Sequence, residues 1–204
     1  MSAQHIRWSG FVAMVGGVLA VVLTLPFAAA YFQAYPGFDV PPFWLSAVQS
    51  GFEPLLTFDY PTHLYSTYGR IFEVVYLLIL PGVVSLHAIQ REASGRFERW
   101  AFGVLVSGLV TSFVGVAGDY WADGMGFGII ELVGLLVLLV GTTLFGIATL
   151  RAKQVPTWSA WLLIIAGPGA IVATWVIGHF PSGPTFLFAC SWIVLGGILS
   201  QADV

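Results

Sequence analysis

The stretch FDYPTHLYSTYGRIFEVVYLLILPGVVSLH, residues 58–87, decides the fold because it runs from ionisable side chains straight into a long apolar segment. His63, Arg70 and Glu73 stand near the start of this segment, and His87 stands at its end. A carboxylate about one turn inside an apolar helix is costly in lipid, and it therefore tends to face protein or water. Glu73 accordingly indicates a functional site inside a transmembrane helix.

The composition of the whole chain is that of an integral membrane protein. Of its 204 residues, 58% are hydrophobic and 8% are charged, and the mean hydropathy is +0.90. So few charges do not cover a soluble domain, whereas the apolar runs are long enough to cross a bilayer. We therefore predict a single integral membrane domain, residues 1–204, in contact with the lipid bilayer. The net charge of −3 comes from a few loop residues without a basic patch, so no nucleic-acid partner is expected.

Six apolar segments predict an all-α, polytopic helical bundle. Backbone groups cannot stay unpaired in hydrocarbon, and no segment alternates strictly as a barrel strand does, so the segments are expected to be helices. Glycine, proline and charged residues separate them. The predicted helices cover residues of about 10–30, 70–90, 99–118, 127–150, 158–178 and 184–201.

The connection between the first two predicted helices is too long for a simple turn. A set of apolar residues within it falls on one helical face, with polar residues elsewhere, which predicts an amphipathic segment lying at the membrane interface. The apolar set is Trp44, Val48, Phe52, Leu55 and Leu56.

The basic residues predict the orientation. Six of the seven lysines and arginines fall on one side of the predicted bundle, and only Arg70 falls on the other. The positive-inside rule places the basic side in the cytoplasm, so a cell-membrane protein with both termini cytoplasmic is expected. The six residues are Arg7, Arg91, Arg96, Arg99, Arg151 and Lys153.

Small residues recur along two of the predicted helices and indicate close helix packing. Both sets have a regular spacing, of four residues in the third helix and of seven in the fourth. The sets are Gly103, Ser107, Thr111 and Gly115, and then Gly134, Gly141 and Ala148.

Most of the remaining ionisable groups fall on the outer side, and this asymmetry predicts a ligand pocket there. Arg70 and Glu73 are three residues apart and can pair along one helix face. Glu73 and Glu131 are expected at similar depths, so we predict that they share one polar pocket with Arg70. The predicted pocket residues are His63, Arg70, Glu73, Asp119, Glu131 and His179.

Cofactor chemistry has little support in the sequence. No H-E-x-x-H or C-x-x-C motif is present, and each histidine is isolated, so no metal site is predicted and no cofactor is identified. A haem between two histidines needs matching depths, but His87 and His179 fall near opposite ends of the bundle. The only lysine, Lys153, lies in a predicted loop, which excludes a retinal Schiff base.

Three functional interpretations follow. The leading one is a non-enzymatic membrane protein whose outward-facing polar pocket binds or passes a small ligand, lipid or ion. The second is an intramembrane enzyme that uses the outer carboxylates and histidines as acid–base groups or metal ligands. The third is a scaffold subunit whose small-residue ridges dock a partner membrane subunit or a second copy of the chain.

Overall fold

The computed structural model describes residues 1–37, 40–122 and 125–202, and over these ranges it contains eight helices and no strand. This confirms the prediction of an all-helical protein. The helices are α1 (Ala3–Ala34), α2 (Leu45–Gly51), α3 (Glu53–Leu56), α4 (Pro61–Ala93), α5 (Gly95–Ala122), α6 (Met125–Ala152), α7 (Thr157–Ile177) and α8 (Ser182–Ser200).

Six of these helices, α1 and α4 to α8, are long and apolar enough to cross a membrane. The shortest has 19 residues and the longest has 33. A helix of about 20 residues spans the hydrocarbon core of a bilayer, so the protein is a multi-pass membrane protein by length and composition.

Helix α4 begins at Pro61, well before the predicted start near residue 70. Proline fits the first turn of a helix because it needs no backbone donor there. The polar residues that follow do not end the helix, because Ser66 and Thr67 return their hydroxyls to the carbonyls of Thr62 and His63 at 3.1 and 2.9 Å. Glu73 therefore lies about three turns inside its helix rather than one.

A tight hairpin joins α4 to α5 at Gly95. The φ and ψ angles of Gly95 are 67° and −145°, a conformation that glycine adopts readily and other residues do not. Beside this turn, the buried Glu98 carboxylate accepts hydrogen bonds from His87 Nδ1 at 2.7 Å and from Gln90 Nε2 at 3.1 Å. In place of the predicted loop, the two helices are joined by a sharp turn, and the hydrogen bonds of Glu98 to His87 and Gln90 hold them together.

The six long helices pack in a closed ring that follows the chain order. Helix α1 packs against α4 and α8, α6 packs against α5 and α7, and α7 packs against α8. The largest side chains buried within this ring are Trp192, Tyr76, Phe27, Phe72, Phe145 and Phe188.

Basic residues gather at one end of the ring, which we call the basic end. Arg7 Nε donates to the carbonyl of Ala202 at 3.0 Å, and the Arg151 guanidinium lies 4.8 Å from the centre of the Phe97 ring. Arg70 lies in the opposite half, where it contacts the end of α5. We call that opposite end the far end.

Helices α5 and α6 approach closely at glycines. A methyl group added to Gly108 would lie 2.3 Å from the backbone nitrogen of Leu138, and one added to Gly134 would lie 2.4 Å from that of Ser112. The predicted packing at Gly134 is therefore confirmed. On α5, however, Gly103 is exposed, because the seam follows positions three and four residues apart and not the strict spacing of four.

The connection from α1 to α4 forms two short helices, α2 and α3, in place of one amphipathic helix. The break comes at Phe52, and Pro54 lies in the first turn of α3. Within the predicted apolar set, Val48 and Leu56 are buried against the protein, whereas Phe52 and Leu55 are exposed. The location of this connection at a membrane interface stays a prediction.

The glycine seam yields a matched pair of substitutions on one helix. We expect Gly108→Ala to lower the free energy of unfolding by about 1–3 kcal/mol, because the added methyl group overlaps the α6 backbone. Gly103→Ala adds the same methyl group where no atom lies within 4 Å, so it should be neutral or stabilising by up to about 1 kcal/mol. Unfolding in detergent measures both. Equal effects of the two substitutions would contradict the seam.

Candidate functional site

A chain of buried and partly buried hydrogen bonds crosses the far end of the ring. The Tyr120 hydroxyl donates to the Tyr65 hydroxyl at 2.7 Å, and the Tyr65 oxygen lies 3.2 Å from His179 Nε2. His179 Nδ1 lies 2.8 Å from Ser182 Oγ. Because Tyr65 accepts from Tyr120, its own hydrogen is free to point at Nε2, which leaves the imidazole proton on Nδ1 to donate to Ser182.

Four different segments supply this chain. Tyr65 lies in the second turn of α4, Tyr120 lies in the last turn of α5, and Ser182 begins α8. His179 lies in the short connection between α7 and α8, which starts when Gly178 ends α7 in the left-handed conformation with φ 72°. The hydrogen bonds therefore tie the ends of four long helices together.

Aromatic rings enclose the imidazole of His179. The ring centres of Phe27 and Tyr31 lie 4.6 and 5.0 Å from that of His179, and only 2% of His179 is exposed. Burial disfavours the charged imidazolium and lowers the pKa of His179 to about 3. His179 is thus a neutral, hydrogen-bonded base across the physiological pH range.

A pocket of about 560 Å³ opens beside this histidine at the end of α7. Three aromatic side chains form much of its wall, and the backbone at Gly178 forms another part. Its lining residues are Tyr31, Val40, Thr174, Trp175, Gly178, His179 and Phe180.

Glu131 lies in the seam between α5 and α6, within electrostatic reach of the Tyr65 and Tyr120 hydroxyls. It is 3% exposed, and its Oε1 atom has no hydrogen-bond partner. The seam is narrow here, since a methyl group added to Gly115 would lie 2.4 Å from the Cα atom of Glu131. The carboxyl group interacts electrostatically with the hydroxyls of Tyr65 and Tyr120 and with Asp119.

Arg70 and Glu73 both contact Trp121 and do not form an ion pair with each other. Arg70 Nε donates to the Tyr120 carbonyl at 2.9 Å, and its guanidinium lies 4.6 Å from the centre of the Trp121 ring. Trp121 Nε1 in turn donates to both Glu73 oxygens at 3.0 and 3.1 Å. The predicted Arg70–Glu73 ion pair is thus replaced by a cation–π contact and a hydrogen bond to one shared ring.

The two predicted carboxylates occupy different surroundings. Glu73 lies on the partly exposed flank of the ring beside Trp121, whereas Glu131 is buried in the α5–α6 seam. The two residues have the same charge and similar predicted depths in their helices. Their surroundings differ because they depend on how each helix is rotated about its axis, which the sequence does not show. That these residues bind a ligand stays a prediction.

His63 and Asp119, the remaining predicted residues, also lie at the far end. His63 Nδ1 contacts the Asp59 carboxylate one turn before it, and this hydrogen bond holds the pKa of Asp59 below its usual value. The pairing orients the exposed His63 ring at the surface. Asp119 is half-buried in the last turn of α5.

No group of three or more histidine, cysteine, aspartate or glutamate side chains is arranged to hold a metal ion in the part of the chain that the structure describes. Among the predicted residues, only His179 lines the pocket described above.

Three residues of the polar clusters were not predicted from the sequence: Tyr65, Tyr120 and Glu98. Tyr65 and Tyr120 were missed because tyrosines are common near membrane interfaces and their spacing carries no motif. Glu98 was missed because it was assigned to a basic loop. The sequence does contain one usable signal, since Glu98 and His87 are eleven residues apart on either side of Gly95, where a hairpin brings them together.

No protein-family model, no curated protein and no solved structure matches this chain. Its function is therefore inferred from the geometry of the site.

The burial of His179 predicts how stability depends on pH. The unfolded chain binds a proton at this histidine below a pKa of about 6.5, whereas the folded protein does so only below about 3. The free energy of unfolding should therefore fall as the pH falls from 6.5 towards 3, by up to about 1.4 kcal/mol per pH unit. Thermal unfolding in detergent from pH 7 to pH 4 measures this slope.

His179→Phe should flatten the slope, because phenylalanine fills the same aromatic cage without titrating. His5→Phe is the matched control, since His5 is exposed and should leave the slope unchanged. The same slope in wild type and His179→Phe would contradict a neutral buried imidazole.

Proposed function

We propose that this multi-pass membrane protein binds a small organic cation of the substituted-ammonium type in the pocket at the far end of α7. The observation that carries the proposal is the aromatic wall of that pocket, formed by Tyr31, Trp175 and Phe180. Aromatic faces attract cations through their quadrupole, and cages of such rings are the usual receptors for quaternary ammonium groups.

The electrostatic surroundings support a cation over an anion. The pocket lies at the C-terminal end of α7, where the helix dipole places partial negative charge. The described lining residues include no lysine or arginine, and the neutral His179 does not repel a positive ligand. Two acidic groups, Glu131 and Asp119, interact electrostatically with the hydroxyls of Tyr65 and Tyr120. The basic group Arg70 is engaged with the Tyr120 carbonyl and the Trp121 ring.

Binding is better supported than passage through the ring. His179 and Tyr65 contact the ring of Phe27, which also contacts Tyr120. Phe27 and Tyr120 are buried, and Tyr65 is partly buried. A ligand moving further inward has to displace these rings. Glu131 is a buried carboxyl group that interacts electrostatically with the hydroxyls of Tyr65 and Tyr120, and we keep it as the inner residue of the proposed site.

We further infer that the pocket faces the outside of the cell membrane and that both termini are cytoplasmic. The support is the gathering of basic residues at the opposite end, together with the positive-inside rule. Arg70, Glu73 and His63 then lie on the outer side, where they belong to the rim of the protein and not to the wall of the pocket.

Choline is the probe for this proposal. Titration of the purified protein with choline should raise its unfolding temperature, because a ligand that binds only the folded state stabilises it. Trp175→Ala should weaken choline binding about threefold to tenfold, as expected for one partly exposed cation–π contact. Trp158→Ala is the matched control, because Trp158 is an exposed tryptophan at the other end of α7.

The uncharged analogue 3,3-dimethylbutanol separates charge from shape. It should bind much more weakly than choline if the aromatic wall recognises a cation. Equal binding of the two molecules, or no effect of Trp175→Ala, would contradict the proposal. A permanent cation does not cross the bilayer freely. If the pocket faces outwards, choline added outside sealed right-side-out vesicles should therefore bind without entering them.

A further inference from the structure

A second cavity, separate from the ammonium pocket, runs along the flank of the ring between α1, α7 and α8. Its volume is about 650 Å³, and Trp44 lies across its far end. On α7 it is lined by Val172, Ala173 and Val176, which lie on a different helix face from the pocket residues Thr174 and Trp175. We call this cavity the flank groove.

None of the described residues that line the flank groove offers a free hydrogen-bonding side chain. Thr24 is the only hydroxyl residue in its lining, and its Oγ1 donates to the Ala20 carbonyl at 2.8 Å. The indole Nε1 of Trp44 donates to the Val176 carbonyl at 2.8 Å. All other described lining residues are glycine or apolar, so a fitting occupant is apolar along its length.

The extent of the groove matches one leaflet of a bilayer. Its α7 lining runs from Gly169 to Ile177, nine residues whose ends are separated by a rise of about 12 Å, close to half of a hydrocarbon core about 30 Å thick. The groove opens sideways to the lipid, since Val172 and Val176 line it and are 65% and 49% exposed.

The position of Trp44 decides between a lipid chain and a partner helix. A partner transmembrane helix has to continue past the groove to the membrane surface, and the hydrogen-bonded indole blocks that path. An acyl chain is thinner, spans only one leaflet, and leaves the groove beside the indole. We propose that the flank groove is a binding site for one acyl chain of a membrane phospholipid in the leaflet at the far end.

Photo-crosslinking in nanodiscs tests this site. The probe is a phosphatidylcholine that carries a diazirine in one acyl chain, diluted in unlabelled phosphatidylcholine. We expect saturable labelling at Val176 or Leu187, mapped by mass spectrometry and competed by the unlabelled lipid. Val110 and Val114 on α5 are exposed to the same bilayer and should show only weak labelling that does not saturate.

Ala173→Phe fills the groove and should abolish the saturable labelling, because the added ring takes the volume that the acyl chain would occupy. Ile171→Phe is the matched control, because Ile171 is exposed on the same helix and does not line the groove. Its labelling should equal that of wild type.

Three outcomes would overturn the proposal. One is labelling at the groove that is no stronger or more saturable than at Val110, which is the behaviour of bulk lipid. Another is saturable labelling that persists in folded Ala173→Phe. The third is a dimeric wild-type protein that Ala173→Phe converts to a monomer, which assigns the groove to a second copy of the chain. If Ala173→Phe does not fold, the mapping in wild type decides between lipid in the groove and bulk lipid.

Discussion

Hydrocarbon supplies no hydrogen-bond partners, so a polar group inside the six long helices has to find its partner within the protein. The hydroxyls of Thr24, Thr142 and Thr149 meet this constraint by donating to carbonyls one turn earlier. At the far end the same need joins Tyr120, Tyr65, His179 and Ser182 into one chain. Side chains from four segments are thus joined to partners on their neighbours, and one of them, His179, lines the proposed ammonium pocket.

Two buried carboxyl groups meet the constraint only in part. Oε1 of Glu131 and Oε2 of Glu98 have no hydrogen-bond partner, and the two groups lie in opposite halves of the ring. Such groups are rare in folded proteins and call for a specific explanation. Glu98 holds the α4–α5 hairpin together through His87 and Gln90, which accounts for it structurally. Glu131 has no comparable pair of donors, and its electrostatic interaction with the hydroxyls of Tyr65 and Tyr120 is the reason for keeping it in the proposed site.

The sequence predicted the helical class, the six long helices and the gathering of charge at one end, because these follow from composition and from apolar run length. It did not predict which face each helix buries. Glu73 and Glu131 look equivalent in the sequence, yet helix rotation leaves Glu73 beside Trp121 at the flank and turns Glu131 into the α5–α6 seam. The start of α4 was missed because threonine and serine hydroxyls return to the helix backbone and carry it through a polar stretch. Tyr65 and Tyr120 were missed because only tertiary contact makes them part of the site.

The hydrogen-bond chain at the far end depends most on the protonation state of the His179 imidazole. Nitrogen-15 NMR of histidine-labelled protein in bilayers reports the protonation of each ring nitrogen directly, and comparison with His179→Phe assigns the His179 signals. We predict that at pH 5 His179 stays neutral with its proton on Nδ1, because burial lowers its pKa to about 3 and Tyr65 donates to Nε2. A doubly protonated His179 ring at pH 5, or a neutral ring with its proton on Nε2, would contradict the hydrogen-bond chain that organises the far end.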